Sequence, residues 1–293
     1  MTTIAIIGPG AVGLCAGAAL TDKGHAVTFV GRQRFDLVTV KTEEGVFRRH
    51  MAKSIIDGAV PAADWLLICT KAHQTAGAAV AIRAAIGPDT RVAVLQNGVE
   101  HAERLAGIVP ETTPVVPVVV DIPAGRLGRG EVLWRGRAGL QVQDTAEGRD
   151  FCALFAGTFV TAQTVDDLTT RMWRKLCVNA PGGAILCLTG RPMVVFHAPG
   201  IADLARGILA ECVAVGRACG ADIGDDVVET QMQAFLAAPP YETNSMFDDF
   251  IAGRETEWEA RNGVIVRKAA QYGIDVPVSR SLVPLLAALR TAT

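Results

Sequence analysis

The sequence predicts an α/β chain in two parts, a parallel-sheet domain over residues 1–166 and an all-helical domain over residues 167–293. Three observations carry this reading. The 293 residues are enough for about two domains. Up to Val165, short apolar runs alternate with amphipathic segments, the pattern of βαβ units. Beyond Asp166-Asp167 strand signals stop and only helical patterns remain. Composition agrees, since 50% hydrophobic and 20% charged residues exclude a disordered chain. With 28 Lys and Arg against 30 Asp and Glu, the net charge of -2 supplies no field to attract a nucleic-acid backbone or an anionic membrane. Neither is expected as a partner.

Taken in order, Thr3–Ile7 is an apolar, β-branched strand, and a helical stretch follows it to Lys23-Gly24. Ala26–Val30 is the next strand. Leu37 to Ile56 holds strand-like pieces on either side of Glu44-Gly45, so a hairpin or irregular excursion is expected there. Trp65–Thr70 and Arg91–Leu95 resume the buried parallel pattern. Val115–Asp121, Glu131–Arg135 and Leu140–Gln143, separated by Gly and Arg, predict an antiparallel extension of the sheet, before a last helix and strand between Asp150 and Val165. Asp166-Asp167 suits the start of a helix running to Leu188, which Pro181 is expected to kink. Further breaks fall at Gly190 to Pro199, Gly220 to Gly224, Pro239-Pro240 and Val276-Pro277.

Met1 to Thr21 carries no charged side chain, but no Lys or Arg precedes the apolar stretch, and glycines and Pro9 interrupt it, so neither a signal peptide nor a membrane span is expected. The seven cysteines form no CxxC pair and mostly sit in apolar runs. They read as small buried hydrophobes in a reducing compartment, and the expected location is the cytoplasm.

Gly8-Pro9-Gly10-Ala11-Val12-Gly13 joins the first strand to the first helix with GxGxxG spacing. Gly8 serves the tight turn, Gly10 the approach of backbone to a pyrophosphate, and Gly13 the packing of helix on strand, while the amides at Ala11 and Val12 face the anion. The expected domain is therefore of the Rossmann type. Its second strand ends Gly31-Arg32-Gln33-Arg34, with no acid before Asp36 to bond a ribose 2′-hydroxyl, so Arg32 and the cofactor NADP(H) are the reading. A solvated pair of loop arginines is the alternative. Lys71, after the Trp65–Thr70 strand, lies on the same carboxyl edge and either helps hold that phosphate or is a surface lysine.

In the second part, Lys175 and Asn179 share one face of the Asp167–Leu188 helix, although Arg171, Arg174 and Lys175 could equally be a basic turn facing water. Asn244-Ser245-Met246 and Gly253-Arg254-Glu255-Thr256-Glu257 follow, and Glu257 with Arg261 could be an exposed i,i+4 pair.

Together these segments resemble the ketopantoate reductases (2-dehydropantoate 2-reductases). The resemblance rests on the glycine loop, Arg32, Lys71-Ala72-x-Gln74, Gln96-Asn97-Gly98, Trp173-Arg174-Lys175-Leu176 with Asn179, Asn244-Ser245-Met246, and Gly253-Arg254-x-Thr256-Glu257. It implies NADPH-dependent reduction of a 2-keto acid, most simply of ketopantoate to pantoate on the way to pantothenate and coenzyme A, with the active site between the two domains; a homodimer is a possible assembly. It places the catalytic lysine on Lys175, the active-site glutamate on Glu257 and the carboxylate-binding serine on Ser245. Asn97 and Asn179 match cofactor and substrate asparagines. No metal is implied. Reduction raises negative charge on the carbonyl oxygen, which a lysine ammonium meets both as cation and as proton donor.

The chain departs from the family pattern at Gly183, where a second asparagine is usual. A lost amide is expected to leave room and an unmet hydrogen bond, giving either weak activity on ketopantoate or a preference for a larger, less polar 2-keto acid that fills the space. The alternatives are thus a relative acting on another bulky 2-keto acid, or a non-catalytic NADP(H) sensor. The joint presence of Lys175, Ser245 and Glu257 argues against the sensor.

Overall fold

The computed structural model describes residues 1–56 and 60–289. The chain begins with β1 (Thr3–Ile7), whose Ile4 to Ile7 are fully buried, and α1 (Ala11–Asp22). Strand β2 (Ala26–Gly31) returns beside β1 in parallel, Thr3 facing Ala26 and Ile7 facing Val30. The expected hairpin forms from β3 (Leu37–Thr42) and β4 (Gly45–Met51), its two turn residues being Glu43 and Glu44, and β5 (Lys53–Ile56) rejoins β2 in parallel. Strand β6 (Trp65–Ile68), helix α2 (Ala79–Ala85), strand β7 (Arg91–Val94), helix α3 (His101–Leu105) and strand β8 (Val115–Pro117) complete a six-stranded sheet of order β5-β2-β1-β6-β7-β8.

The order reverses at β1, with β2 on one side and β6 on the other. Ligands of open α/β sheets bind outside the carboxyl ends of the strands at such a switch point. Here those ends are the Gly8 turn and Thr70.

The expected antiparallel extension of this sheet is not found. Only β8 adds to it, and it does so in parallel. Strand β9 (Val119–Asp121) pairs instead with β12 (Gly139–Gln143) and, through it, with β13 (Thr161–Val165) in a separate sheet. Strands β10 (Ala124–Gly128) and β11 (Glu131–Trp134) form a hairpin whose second strand runs parallel to β3, giving a four-stranded sheet β10-β11-β3-β4. Local alternation signals a strand but not its partner, which is chosen by packing far along the chain. The reason lies in α1. It is apolar on all sides, touches β1 and β2 on one face and β3, β10 and β11 on the other, and so must be covered twice. The second sheet is that cover.

Helix α4 (Ala146–Leu154), capped by the Thr145 hydroxyl on the Gly148 amide, precedes β13. By their contacts, Met1–Asn97 and His101–Leu168 form one compact unit, and Gly98–Glu100 with the residues from Thr169 onward form a second.

The second unit is helical. Helix α5 (Leu168–Thr189) runs unbroken through Pro181 as one element of 22 residues. Its first amide, Leu168 N–H, donates to Gln143 Oε1 at 3.1 Å. The residues Trp173, Leu176, Cys177, Ala180, Ala184 and Ile185 enter the core of the unit. Around this spine lie α6 (Ile201–Ala218), α7 (Val227–Ala237), α8 (Ser245–Ile251), α9 (Val264–Tyr272) and α10 (Pro277–Ala288). Asn244 caps α8 by accepting from the amides of Met246 and Phe247, and buried Glu211 of α6 accepts from the first amides of α10, Val278 and Ser279, both at 2.7 Å. A turn of π-helix, Glu259–Gly263, leads into α9. Among the described residues, no helix is long and apolar enough to cross a membrane.

Candidate active site

In the sheet unit, the glycine loop has the mechanical roles its spacing predicts. Gly8 has φ +85° and presses on the next strand's end, where a Cβ would sit 2.7 Å from the Thr70 nitrogen. A Cβ on Gly13 would stand 2.9 Å from the Gly8 carbonyl oxygen and 3.2 Å from Cys69 Cβ. Gly10 differs, because the nearest atom to a Cβ there is 4.0 Å away. Its face is open, as close approach of a ligand to backbone requires. Gly10 also stands at the start of α1, with Ala11 and Val12 half-buried in the first turn, where helix amides lack intrahelical acceptors.

A groove of about 420 Å³ opens beside this turn, lined by Pro9, Gly10, Arg32, Gln33, Arg126 and Arg129 together with Phe35. It brings the loop and Arg32 together. Arg34 and Lys71 are not part of its lining. Lys71 is half-buried past the end of β6, and Asn97 past the end of β7. The two segments are tied by buried Gln96, whose amide nitrogen donates to the Thr70 carbonyl (2.9 Å), Thr70 Oγ1 (2.8 Å) and Thr75 Oγ1 (2.9 Å). Arg104 donates to Gln96 Oε1 (2.9 Å) and the Asn97 carbonyl (3.3 Å). Two motifs that lie apart in sequence therefore share one framework on the carboxyl edge of the sheet.

In the helical unit, Arg171 and Arg174 are exposed, whereas Lys175 and Asn179 are half-buried, one turn apart on α5. The basic-turn reading holds for the two arginines and fails for the lysine. Glu257 and Arg261 are not an exposed pair, for they are 3% and 1% exposed, with Arg261 Nη2 3.5 Å from Glu257 Oε2. The same nitrogen donates to Ser245 Oγ at 2.8 Å. Ser245 is itself exposed at the start of α8. A buried guanidinium thus links the buried acid to the exposed hydroxyl.

Gly183 corrects another expectation. No vacated space remains at this position: a Cβ would meet Met246 Sδ at 2.8 Å, with Arg261 Cδ at 3.7 Å and Nη1 at 3.8 Å. The thioether and the guanidinium stem fill the volume, as close-packed interiors demand. Gly183 therefore leaves no added room for a larger keto acid. Beside it, Asn262, also buried, donates to the Ala180 carbonyl at 3.0 Å, next to Pro181.

Asn262, Arg104, Arg126 and Arg129 are given no role in the reading of the sequence, and Arg261 enters it only as an exposed partner of Glu257. For Arg261 a signal existed, since its i+3 and i+4 neighbours Val264 and Ile265 are core residues. The π-helical turn that carries it had none; such turns insert a residue and often accompany functional sites.

A switch-point loop of this kind, with a cationic groove beside it, defines the class of dinucleotide-binding proteins. The particular family follows from comparison. Residues 4–147 match the family described as ketopantoate reductase PanE/ApbA, and residues 167–290 match its C-terminal counterpart. The chain belongs to this family. It is 40% identical over 287 residues to a 2-dehydropantoate 2-reductase of Caulobacter vibrioides, covering 98% of each chain. Among solved structures, it is similar to a PanE/ApbA family ketopantoate reductase from Ralstonia eutropha (30% identity, TM-score 0.87, 98% of each chain). It is also similar to a dimeric ketopantoate reductase from Staphylococcus aureus (26% identity, TM-score 0.88, 98% of each chain).

Proposed function

We propose that this chain is a cytoplasmic, NADPH-dependent reductase that converts 2-dehydropantoate to pantoate. Residues 1–166 hold the cofactor, and residues 167–293 supply the groups for substrate and proton. The observation that carries the reading is the arrangement in the helical unit, with half-buried Lys175 and Asn179 on one face of α5 and Ser245 held by the buried Arg261–Glu257 pair.

The residues present fit the cofactor. Gly8, Gly10, Ala11, Val12 and Gly13 shape the pyrophosphate seat, Arg32 meets the 2′-phosphate, and Lys71 and Asn97 stand on the same sheet edge. When bound, NADPH supplies the hydride for the carbonyl carbon. Negative charge then grows on the carbonyl oxygen. Lys175 meets it as ammonium and gives it a proton as general acid. Ser245 Oγ accepts from Arg261, so its own hydrogen is left to donate elsewhere, and the substrate carboxylate is the natural acceptor. Asn179 adds a neutral donor. Glu257, buried against Arg261, positions the guanidinium that positions Ser245.

Because Met246 and Arg261 fill the space at Gly183, 2-dehydropantoate is the substrate to test first. NADPH oxidation should be followed against 2-dehydropantoate and a panel of branched and aromatic 2-keto acids. We expect 2-dehydropantoate to lead in kcat/KM. Lys175→Ala should lower turnover by about a hundredfold or more while leaving NADPH affinity nearly unchanged. Near-normal turnover in that variant would remove the proton donor from the scheme. On the precedent of the dimeric Staphylococcus aureus relative, we read the enzyme as a homodimer, which light scattering tests.

A further inference from the structure

The groove beside the glycine loop has a second cationic wall that the loop and the end of β2 do not explain. Arg126 lies on β10, and Arg129 lies in the turn to β11, more than ninety residues beyond Arg32 in sequence. All three arginines are exposed. Among the described residues, no carboxylate forms an ion pair with any of them. Three uncompensated guanidiniums converging on one groove, in a chain whose net charge is -2, repel one another unless an anion joins them.

The wall is built. Gly130, at φ +68°, lays its backbone directly against the Leu37 carbonyl and the Phe35 ring, and no side chain would fit there. Its own carbonyl accepts from Thr39 N–H at 2.8 Å, while β11 pairs in register with β3, Glu131 facing Thr39. Phe35, which also lines the groove, is clamped in turn: its amide donates to Ser54 Oγ at 2.9 Å, the Ser54 hydroxyl donates to its carbonyl at 2.7 Å, and its ring contacts Phe29 at 5.4 Å. Arg126 Nε donates to the Gly128 carbonyl at 3.1 Å, which leaves both terminal nitrogens of that guanidinium for a ligand. The backbone that carries Arg126 and Arg129 is thus held in place beside the strand that follows Arg32.

We propose that Arg126 and Arg129 close over the 2′-phosphate of NADPH from the side opposite Arg32, so that three arginines, two of them from the second sheet, set the preference for NADPH over NADH. The ligand chemistry follows from the groove. A phosphate monoester dianion presents oxygens to several guanidiniums at once, whereas a ribose hydroxyl offers nothing to match three cations. The proposal rests on the reading that NADPH is the cofactor.

The test is binding, measured by fluorescence titration of NADPH and NADH and by calorimetry with 2′,5′-ADP and 5′-AMP, for the wild type, Arg126→Ala, Arg129→Ala and the double variant. Both arginines are exposed, so thermal melting should be unchanged. Each single variant should lose about tenfold in affinity for NADPH and for 2′,5′-ADP, and the double variant about a hundredfold, with NADH and 5′-AMP affected less than twofold. Lys at either position should restore part of the loss. Equal weakening of NADPH and NADH would overturn the proposal by placing the arginines on the pyrophosphate. Unchanged NADPH affinity would overturn it outright. A wild type that does not prefer NADPH, by contrast, would sink the cofactor reading itself, and that result is visible before any variant is made.

Discussion

Replacing Arg261 by Met tests the centre of the helical unit. The thioether chain keeps most of the arginine's aliphatic volume, beside Gly183 and Met246, so no large cavity forms. What is lost is charge. Glu257, 3% exposed, loses a guanidinium whose Nη2 lies 3.5 Å from its carboxylate, and Ser245 loses a 2.8 Å donor. Removing one partner of a buried ion pair costs about 3–5 kcal/mol, because the other charge stays in a medium that solvates it poorly. Arg261→Met should therefore lose about that much. Glu257→Gln/Arg261→Met together should recover most of it, ending within about 1–2 kcal/mol of the wild type, since replacing a whole buried pair by groups of similar shape is often neutral. The native pair is itself imperfect, as Arg261 Nε has no hydrogen-bond acceptor, which further limits what the double variant forfeits. Hydrogen exchange of the α5 and α9 amides is the suitable assay, because a two-unit chain need not unfold in one step. At about 1.4 kcal/mol per factor of ten, the slowest amides of Arg261→Met should exchange on the order of a hundredfold to a thousandfold faster. The double variant should return to within about thirtyfold of the wild type. Losses that simply add in the double variant would refute the coupling, and with it the account of why Ser245 is held in place.

Three further outcomes follow from the same geometry. Gly8→Ala should impair folding, because a Cβ there meets the Thr70 backbone at 2.7 Å with φ at +85°, whereas Gly10→Ala should fold normally and lose only cofactor affinity; thermal melting and NADPH titration separate the two. Burial pushes the thiols of Cys15 and Cys187 up to about 12 and raises that of Cys69 further, Cys212 is raised by its hydrogen bond with Cys177 and by burial, and half-buried Cys152 is raised by burial and by the Asp144 carboxylate, so at most the half-buried Cys219 should react quickly with a disulfide reagent near neutral pH, against seven in denaturant. Hydrogen bonds from the Thr3 amide and hydroxyl hold the Asp64 carboxyl below its ordinary value; a depressed folded-state pKa contributes stability above the unfolded value and loses it as pH falls through the folded one, so Asp64→Asn should flatten the acid side of the stability profile, by less than about 1 kcal/mol because the group is exposed.

How much of this was legible in the sequence depended on whether the information was local. The parallel sheet, the glycine loop and the helical second unit were readable, because period-2 and helical patterns and a GxGxxG turn are properties of short windows. The β3–β4 hairpin was legible for the same reason. The partner of β11 was not. Glu131 to Trp134 reads as a strand wherever it pairs, and its place beside β3 is decided by a helix that needs covering on two faces. Arg126 and Arg129 were illegible on the same ground. Nothing around them differs from any polar hairpin, and they matter only because β11 pairs with a strand that follows Arg32. The burial of Lys175 against the exposure of Arg171 and Arg174 was half legible: helix phase separates the three residues, but not which way the helix faces.

Gly183 shows why a missing side chain is the hardest feature to read. From sequence, an absent amide suggests an empty space and a lost hydrogen bond, and both inferences assume that the neighbours stay where a larger residue would have put them. Interiors do not behave so. A void costs the dispersion contacts of every atom lining it, and flexible Met and Arg side chains move in to recover them. Here Met246 Sδ would be 2.8 Å from a Cβ on Gly183, too close for any larger residue without repacking. The Arg261 guanidinium stands within 4 Å of the same point and donates to Ser245. The loss of a neutral donor on α5 therefore coincides with a charged donor entering from the π-helical turn. What the residue at 183 gives up in hydrogen bonding is matched by a nitrogen that can serve the same region only while Gly183 leaves room for it. Gly183→Asn should then displace Arg261 and Met246 rather than improve the site. It should destabilise the helical unit by about 1–3 kcal/mol, as overpacking does, and raise KM for the keto acid. A stable Gly183→Asn variant with a lower KM would show that the space was available after all.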